Sequence, residues 1–121
     1  MNIERFEEII AWQKAKVLTV EIYKLFEDHK DYGFKDQIQR AAISVMNNIA
    51  EGFERKGNKE FSQFLFIAKG SCAEVRSMLI LAKELKKLPG ANADTMAKLA
   101  EETSKILSGL IKSLSNKKTL N

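Results

Sequence analysis

DQIQRAAISVMNNIAEGFERKGNKEFSQFLFIAKGSCAEV, residues 36–75, decides the fold. Its first half places Ile38, Ala41, Ala42, Val45, Met46, Ile49 and Phe53 at intervals of three and four. Its second half repeats that spacing with Phe61, Phe64, Leu65, Ala68, Cys72 and Val75, and the stripe continues through Leu79 and Ala82. Such spacing puts apolar side chains on one face of a helix. Gly57 interrupts the pattern, with Asn58 as the expected cap of the following helix. The stretch therefore reads as a helical hairpin, with helices over about 35–55 and 58–87.

Working outward, a further helix is expected on each side. The upstream one spans about 3–28 and is broken by DHKDYGF, with Gly33 as the turn residue. Downstream, Leu88-Pro89-Gly90 stops the third helix, and a fourth spans about 93–115, capped by Asn92 or Asp94. Its stripe is Met96, Leu99, Ala100, Thr103, Leu107, Leu110 and Leu114. The tail NKKTLN reads as frayed. Four amphipathic helices with short links predict a single all-α domain over 1–121, an up-down antiparallel four-helix bundle. At 121 residues the chain can bury roughly two-thirds of its unfolded surface, enough for one core.

The first helix carries two apolar stripes. Ala11, Ala15, Leu18, Ile22, Leu25 and Phe26 form one; Phe6, Ile10, Val17 and Val20 form another, nearly opposite. A bundle helix needs one apolar face. The second is either a wide core contact near the helix ends or a subunit interface, and the expectation is a homo-oligomer interface through Phe6, Ile10, Val17 and Val20.

Composition narrows the function. Hydrophobic residues make up 45% and charged residues 30%, ordinary globular chemistry. No run approaches the ~18 apolar residues of a membrane span. The N-terminus MNIERFEEII lacks the apolar core of a signal peptide, so a cytoplasmic protein is expected. His29 is the only histidine and Cys72 the only cysteine. A Glu-x-x-His pair, a zinc ligand set and a Gly-rich phosphate loop are all missing. The expectation is no metal, no cofactor and no catalysis. A net charge of +4 tilts the choice of partner toward polyanions.

Three polar clusters are candidates for binding. Arg5, Trp12, Lys16 and Tyr23 share one azimuth, mixing cations with aromatics as single-strand binders do; the same rings could equally pack at the bundle seam. Arg55, Lys56 and Lys59 crowd the hairpin turn and could grip phosphates, or simply be solvated. The nucleic-acid-binding set is thus Arg5, Trp12, Lys16, Arg55, Lys56 and Lys59, while Lys83, Lys86, Lys87, Lys117 and Lys118 read as solubilising. Finally, Gln37, Arg40, Ser44, Asn47, Glu51 and Arg55 line one stripe, with Asn48 beside it. Hairpin arithmetic predicts a structural polar network: Arg40 with Glu74, and Asn47 with Ser71 or nearby backbone, with the mid-helix Gly70 allowing close helix approach beside Ser44 or Asn47. The alternative is that Arg40 and the asparagines face a ligand.

The runs AWQKAKVL, IY and YGFKDQIQRAAISVMNNIAEGFERKGNKEFSQFLFIAKGSCAEV resemble the four-helix bundle protein family encoded in intervening sequences of bacterial 23S rRNA genes. NIAEG at 48–52 and IAKGS at 67–71 with Glu74 carry most of the specificity; Trp12-Gln13 and Tyr32-Gly33 add to it. The resemblance covers roughly residues 6–82. EDHKDYG departs from the pattern by lacking a Phe-Pro before Tyr-Gly. The resemblance implies a ring-like homopentamer. It also implies kinship with the accessory protein of diversity-generating retroelements, a basic pentameric barrel that associates with nucleic acid and a reverse transcriptase. On family position Arg40, Asn48, Glu51, Gly52 and Glu74 match the motif. The resulting expectation is a non-catalytic oligomer that contacts RNA or DNA with low sequence specificity. The alternative is a protein-interaction scaffold, docking for example a reverse transcriptase or a ribosome-associated partner.

Overall fold

The computed structural model describes residues 2–120, with side chains over 2–116. Lys117 and Lys118 therefore lie outside the described side chains. Four α-helices follow a short 3₁₀ turn at Phe6–Glu8: α1 Ile10–Leu25, α2 Tyr32–Phe53, α3 Asn58–Glu84 and α4 Gly90–Leu120. No strand occurs among the described residues.

Several boundaries differ from expectation, each for a local reason. The first helix begins at Ile10, not near residue 3, because Ile9 is extended (φ −74, ψ 122). Glu8 accepts from the backbone N–H of Glu4 and Arg5 at 3.2 and 2.9 Å and ties the preceding segment into its own turn. Gly33 lies inside α2, whose start is set by Asp31: its Oδ1 accepts from Phe34 N–H at 3.2 Å. At α3 the cap is Gly57 (φ +97), a conformation closed to most side chains, and Asn58 is already helical.

α3 ends at Glu84, short of Lys87. Lys86 turns left-handed (φ 56), Lys86 N–H donates to Lys83 O, and Lys87 N–H donates to Ala82 O, a Schellman closure. Pro89 precedes α4, and its carbonyl accepts from Ala93 N–H at 3.1 Å. Asn92 and Asp94 sit within that helix rather than capping it. Asp94 pairs instead with Lys83 at 3.0 Å. α4 extends to Leu120, past the expected end near 115.

Each helix packs on its chain neighbours, α4 closes back onto α1, and α1 and α3 stand diagonally across. The core divides by height. Leu18, Ile22 and Phe26 of α1 meet Ile38 of α2, Leu79 of α3 and Met96 of α4 at one end. Ala11 and Ala15 meet Ile49, Leu65 and Leu107 at the other. Early α1 thus lies beside late α2, early α3 and late α4, the signature of antiparallel neighbours. A fully buried side chain such as Phe26 contributes about 1.5–3 kcal/mol. Thr19 links two helices, its Oγ1 donating to Ala15 O at 2.8 Å and Ala42 O at 3.0 Å.

Candidate functional site

Trp12 is half-buried and its ring is engaged. Phe6 packs against it at 5.2 Å in a T-shaped contact, and Lys16 Nζ lies 5.7 Å from the ring centroid. Phe6 therefore belongs to the edge of the core, not to the exposed set in which the sequence placed it. Ile10, Val17 and Val20 do stand exposed, at 58%, 50% and 41%. Val17 and Val20 border an open groove of about 570 Å³ that runs along α1 with Gln13 and Lys16.

Arg5 precedes the break at Ile9, so it does not continue the Trp12 and Lys16 azimuth. It bonds Glu7 at 2.9 Å. Backbone hydrogen bonding first, then Arg5, hold the Glu7 carboxyl below the ordinary glutamate range.

The basic turn is split in two. Arg55 is held by Glu51 at 2.9 Å, by Glu60 at 3.4 Å and over the Phe64 ring at 5.0 Å. Lys56 and Lys59 are exposed and form no ion pair among the described residues. The turn thus offers two free ammonium groups beside one neutralised guanidinium.

The inter-helix polar network exists with different partners. Ser44 Oγ and Ser71 Oγ lie 2.8 Å apart. Asn48 Nδ2 donates to Ser44 O at 2.8 Å and Ser44 Oγ at 3.0 Å, so Asn48 rather than Asn47 supports the Ser71 contact. Arg40 does not reach Glu74. It pairs with Asp36 one turn away at 2.9 Å, and Glu74 accepts from Gln37 at 3.4 Å. The carboxylate one turn away on the same helix is the one that Arg40 meets, because residues at i and i+4 are neighbours on a helix surface. Asn47 is exposed beside Arg40, Ile43 and Tyr23 in an open groove of about 570 Å³. Glu51 binds Arg55 and lies outside the network.

Gly70 is not a close-approach site: a Cβ there would meet nothing within 4 Å. Gly52 is. A Cβ on Gly52 would lie 2.6 Å from Phe64 Cβ and 3.0 Å from Phe61 Cδ1. The sequence signal for this was present, since Gly52 extends the buried stripe one turn beyond Val45 and Ile49.

The sequence reading missed the outer face of α3, where Phe66 (58%), Ile67, Ile80 (57%) and Leu81 are exposed. The periodicity was there to find: Phe66, Gly70, Ala73, Ser77 and Ile80 recur every three or four residues, without a charge, opposite the core stripe.

At the far end Lys87 Nζ bonds Asp31 at 2.7 Å and lies 5.2 Å from the Phe34 ring centroid. The hydrogen bond from Lys87, followed by that from Phe34 N–H, holds the Asp31 carboxyl below the usual aspartate range. His29 Nδ1 accepts from Asp31 N–H at 3.1 Å. Burial pushes the Cys72 thiol up to about 12, against a smaller opposing effect of Lys69. Among the described residues no cluster of His, Cys, Asp and Glu could hold a metal ion, and no helix is long and apolar enough to cross a membrane.

Among solved structures the chain is similar to a protein of unknown function from the S23 ribosomal protein family of Bacteroides thetaiotaomicron VPI-5482. The two superpose with a TM-score of 0.79 over 85% of this chain and 99% of that one, at 24% identity. At that identity the likeness speaks for the helical fold. No curated protein matches the chain. The sequence profile of the 23S rRNA-intervening sequence proteins matches residues 7–109, most of the chain and all three inter-helix turns. This chain belongs to the 23S rRNA-intervening sequence protein family.

Proposed function

We propose that the protein is a non-catalytic, self-associating binding protein that contacts RNA or DNA with low sequence specificity. The observation that carries the nucleic-acid part is the α2–α3 turn. Lys56 and Lys59 project there without acidic partners, on a chain of net charge +4. Ammonium groups free of carboxylates bind phosphate by releasing its counterions, which gives affinity without base readout. Lys16 adds a third cation beside the engaged Trp12 ring, so stacking on Trp12 is a minor contribution. The family's description is consistent with an RNA context.

The exposed α1 residues Ile10, Val17 and Val20 support self-association, and family resemblance makes a cytoplasmic homopentamer the form to test. Repeating the basic turn around a ring multiplies weak phosphate contacts into useful affinity. The test is fluorescence anisotropy with a labelled single-stranded RNA at two salt concentrations. Binding should weaken steeply with salt, and Lys56→Glu with Lys59→Glu should abolish most of it. Absence of binding at low salt removes the nucleic-acid reading.

A second reading, a scaffold that docks another protein, is favoured by the apolar outer face of α3. It is the role that kinship with the retroelement accessory protein suggests, with a reverse transcriptase as partner. A complex that survives nuclease treatment would select it.

A further inference from the structure

The large apolar side chains left exposed among the described residues are not scattered. Apart from Tyr32 and the cap residue Leu85, they lie on α1 (Ile10, Val17, Val20, Tyr23) or on α3 (Phe66, Ile67, Ile80, Leu81). These two helices are diagonal in the bundle, so their outer faces point in opposite directions. Two different faces on opposite sides of one protomer suit a heterologous contact, which closes into a ring when the rotation allows. We infer that the outer face of α1 in one copy docks on the outer face of α3 in the next. The inference rests on the self-association proposed above and names its second face.

The heights of the side chains match. Thr19 on α1 bonds Ala42 of α2, and Ser44 of α2 bonds Ser71 of α3. Followed through the antiparallel chains, these bonds put Gly70 of α3 level with Lys16 and Val17 of α1, and Ala73 level with Val20. A ring axis along the bundle keeps every copy at one height. The valines of α1 then meet the low strip of Gly70 and Ala73, while Ile10 comes beside Phe66. This explains a glycine that has no purpose inside the protomer. Gly70 is mid-helix with nothing within 4 Å of its missing Cβ, and its low profile admits Val17 of a neighbour.

The charges match too. A rotation sets the α2 side of one face against the α2 side of the other. Lys16 is on that side of α1, two turns before Tyr23, which lines a groove with Gln39 of α2. Glu74 is on that side of α3, bonded to Gln37, one turn along from the level of Lys16, a distance of about 6 Å that a lysine side chain spans. On the α4 side, Glu21 of α1 falls within one residue of the level of Arg76, which is paired with Glu101 at 2.9 Å within its own protomer and has further donors for a second carboxylate. One like-charged pair, Lys14 against Lys69, opposes these two attractive ones.

The test uses the full chain and light-scattering mass, with circular dichroism to confirm folding. Val17→Glu damages only the α1 face and Gly70→Arg only the α3 face. Each should run alone as a folded protomer of 13.7 kDa. Mixed, they should form a one-to-one complex of twice that mass, because each retains the face the other lacks. Val20→Glu and Phe66→Glu serve as second lesions if either first variant fails to fold. An α1-to-α1 contact would leave Gly70→Arg assembled and an α3-to-α3 contact would leave Val17→Glu assembled; either result overturns the inference. If both variants assemble like the wild type, the interface lies elsewhere and only this inference falls. A wild type that stays at 13.7 kDa at high concentration removes self-association itself.

Discussion

Replacing Gly52 with alanine should destabilise the protein by about 2 kcal/mol. Alanine in a helix interior recovers up to ~1 kcal/mol of backbone propensity, an upper bound at Gly52, the last residue but one of α2. Against that, the new Cβ would stand 2.6 Å from Phe64 Cβ and 3.0 Å from Phe61 Cδ1, where carbon atoms prefer about 3.5–4.0 Å. Phe64 Cβ is fixed to the α3 backbone and cannot swing aside, so the hairpin must open by a large part of an ångström. Overpacking of this kind costs about 1–3 kcal/mol, and a backbone-anchored clash belongs at the upper end. The net loss of about 2 kcal/mol corresponds to a melting temperature lower by roughly 10 °C in a chain of this size. Gly70→Ala is the control of opposite sign. With nothing within 4 Å of the added carbon, it should gain up to ~1 kcal/mol. Both are measured by urea unfolding in a Val17→Glu background, so that assembly does not add its own stability. A Gly52→Ala variant as stable as its parent, or a Gly70→Ala variant less stable, would show that Gly52 is not the point of tight α2–α3 contact.

Asp31→Asn keeps an N-cap for α2 but removes the charged partner of Lys87. Because the folded-state pKa of Asp31 is depressed, its stabilisation is complete above the ordinary aspartate range and is lost only as pH falls through the lowered folded-state value; the variant's melting-temperature deficit at pH 7 should shrink as pH is taken below the ordinary aspartate range. Cys72, buried and pushed up to about 12, should resist a thiol-specific reagent at pH 8 in the folded protein and react at once in denaturant. Thr19→Val should cost about 1 kcal/mol in urea unfolding, since it keeps the shape but removes the hydroxyl that joins α1 to the Ala42 carbonyl; an unchanged midpoint would mean that bond carries no net stability.

The four helices and their inward faces were legible in the letters alone. Ile38, Val45, Ile49, Leu65, Cys72, Leu79 and Leu107, chosen by spacing alone, are all buried. The reason is that a 3.6-residue period and the cost of exposing apolar carbon act within a single segment. The turn at Gly57 was legible for the same reason, and so was the second stripe on α1 at Ile10, Val17 and Val20.

Whatever depends on two segments meeting emerged only with the packed bundle. Which carboxylate Arg40 takes, which asparagine reaches Ser44, and which glycine permits close approach all depend on shifts of a few ångströms between helices. Levels counted from the turn alone, with no observed bond to anchor them, are too coarse for that, so the close approach expected at Gly70 falls instead at Gly52. The outer stripe of α3 was visible in the letters, but its meaning was not. Only packing placed it diagonally opposite the outer stripe of α1, and a pair of opposed apolar faces is a property of the bundle rather than of either helix.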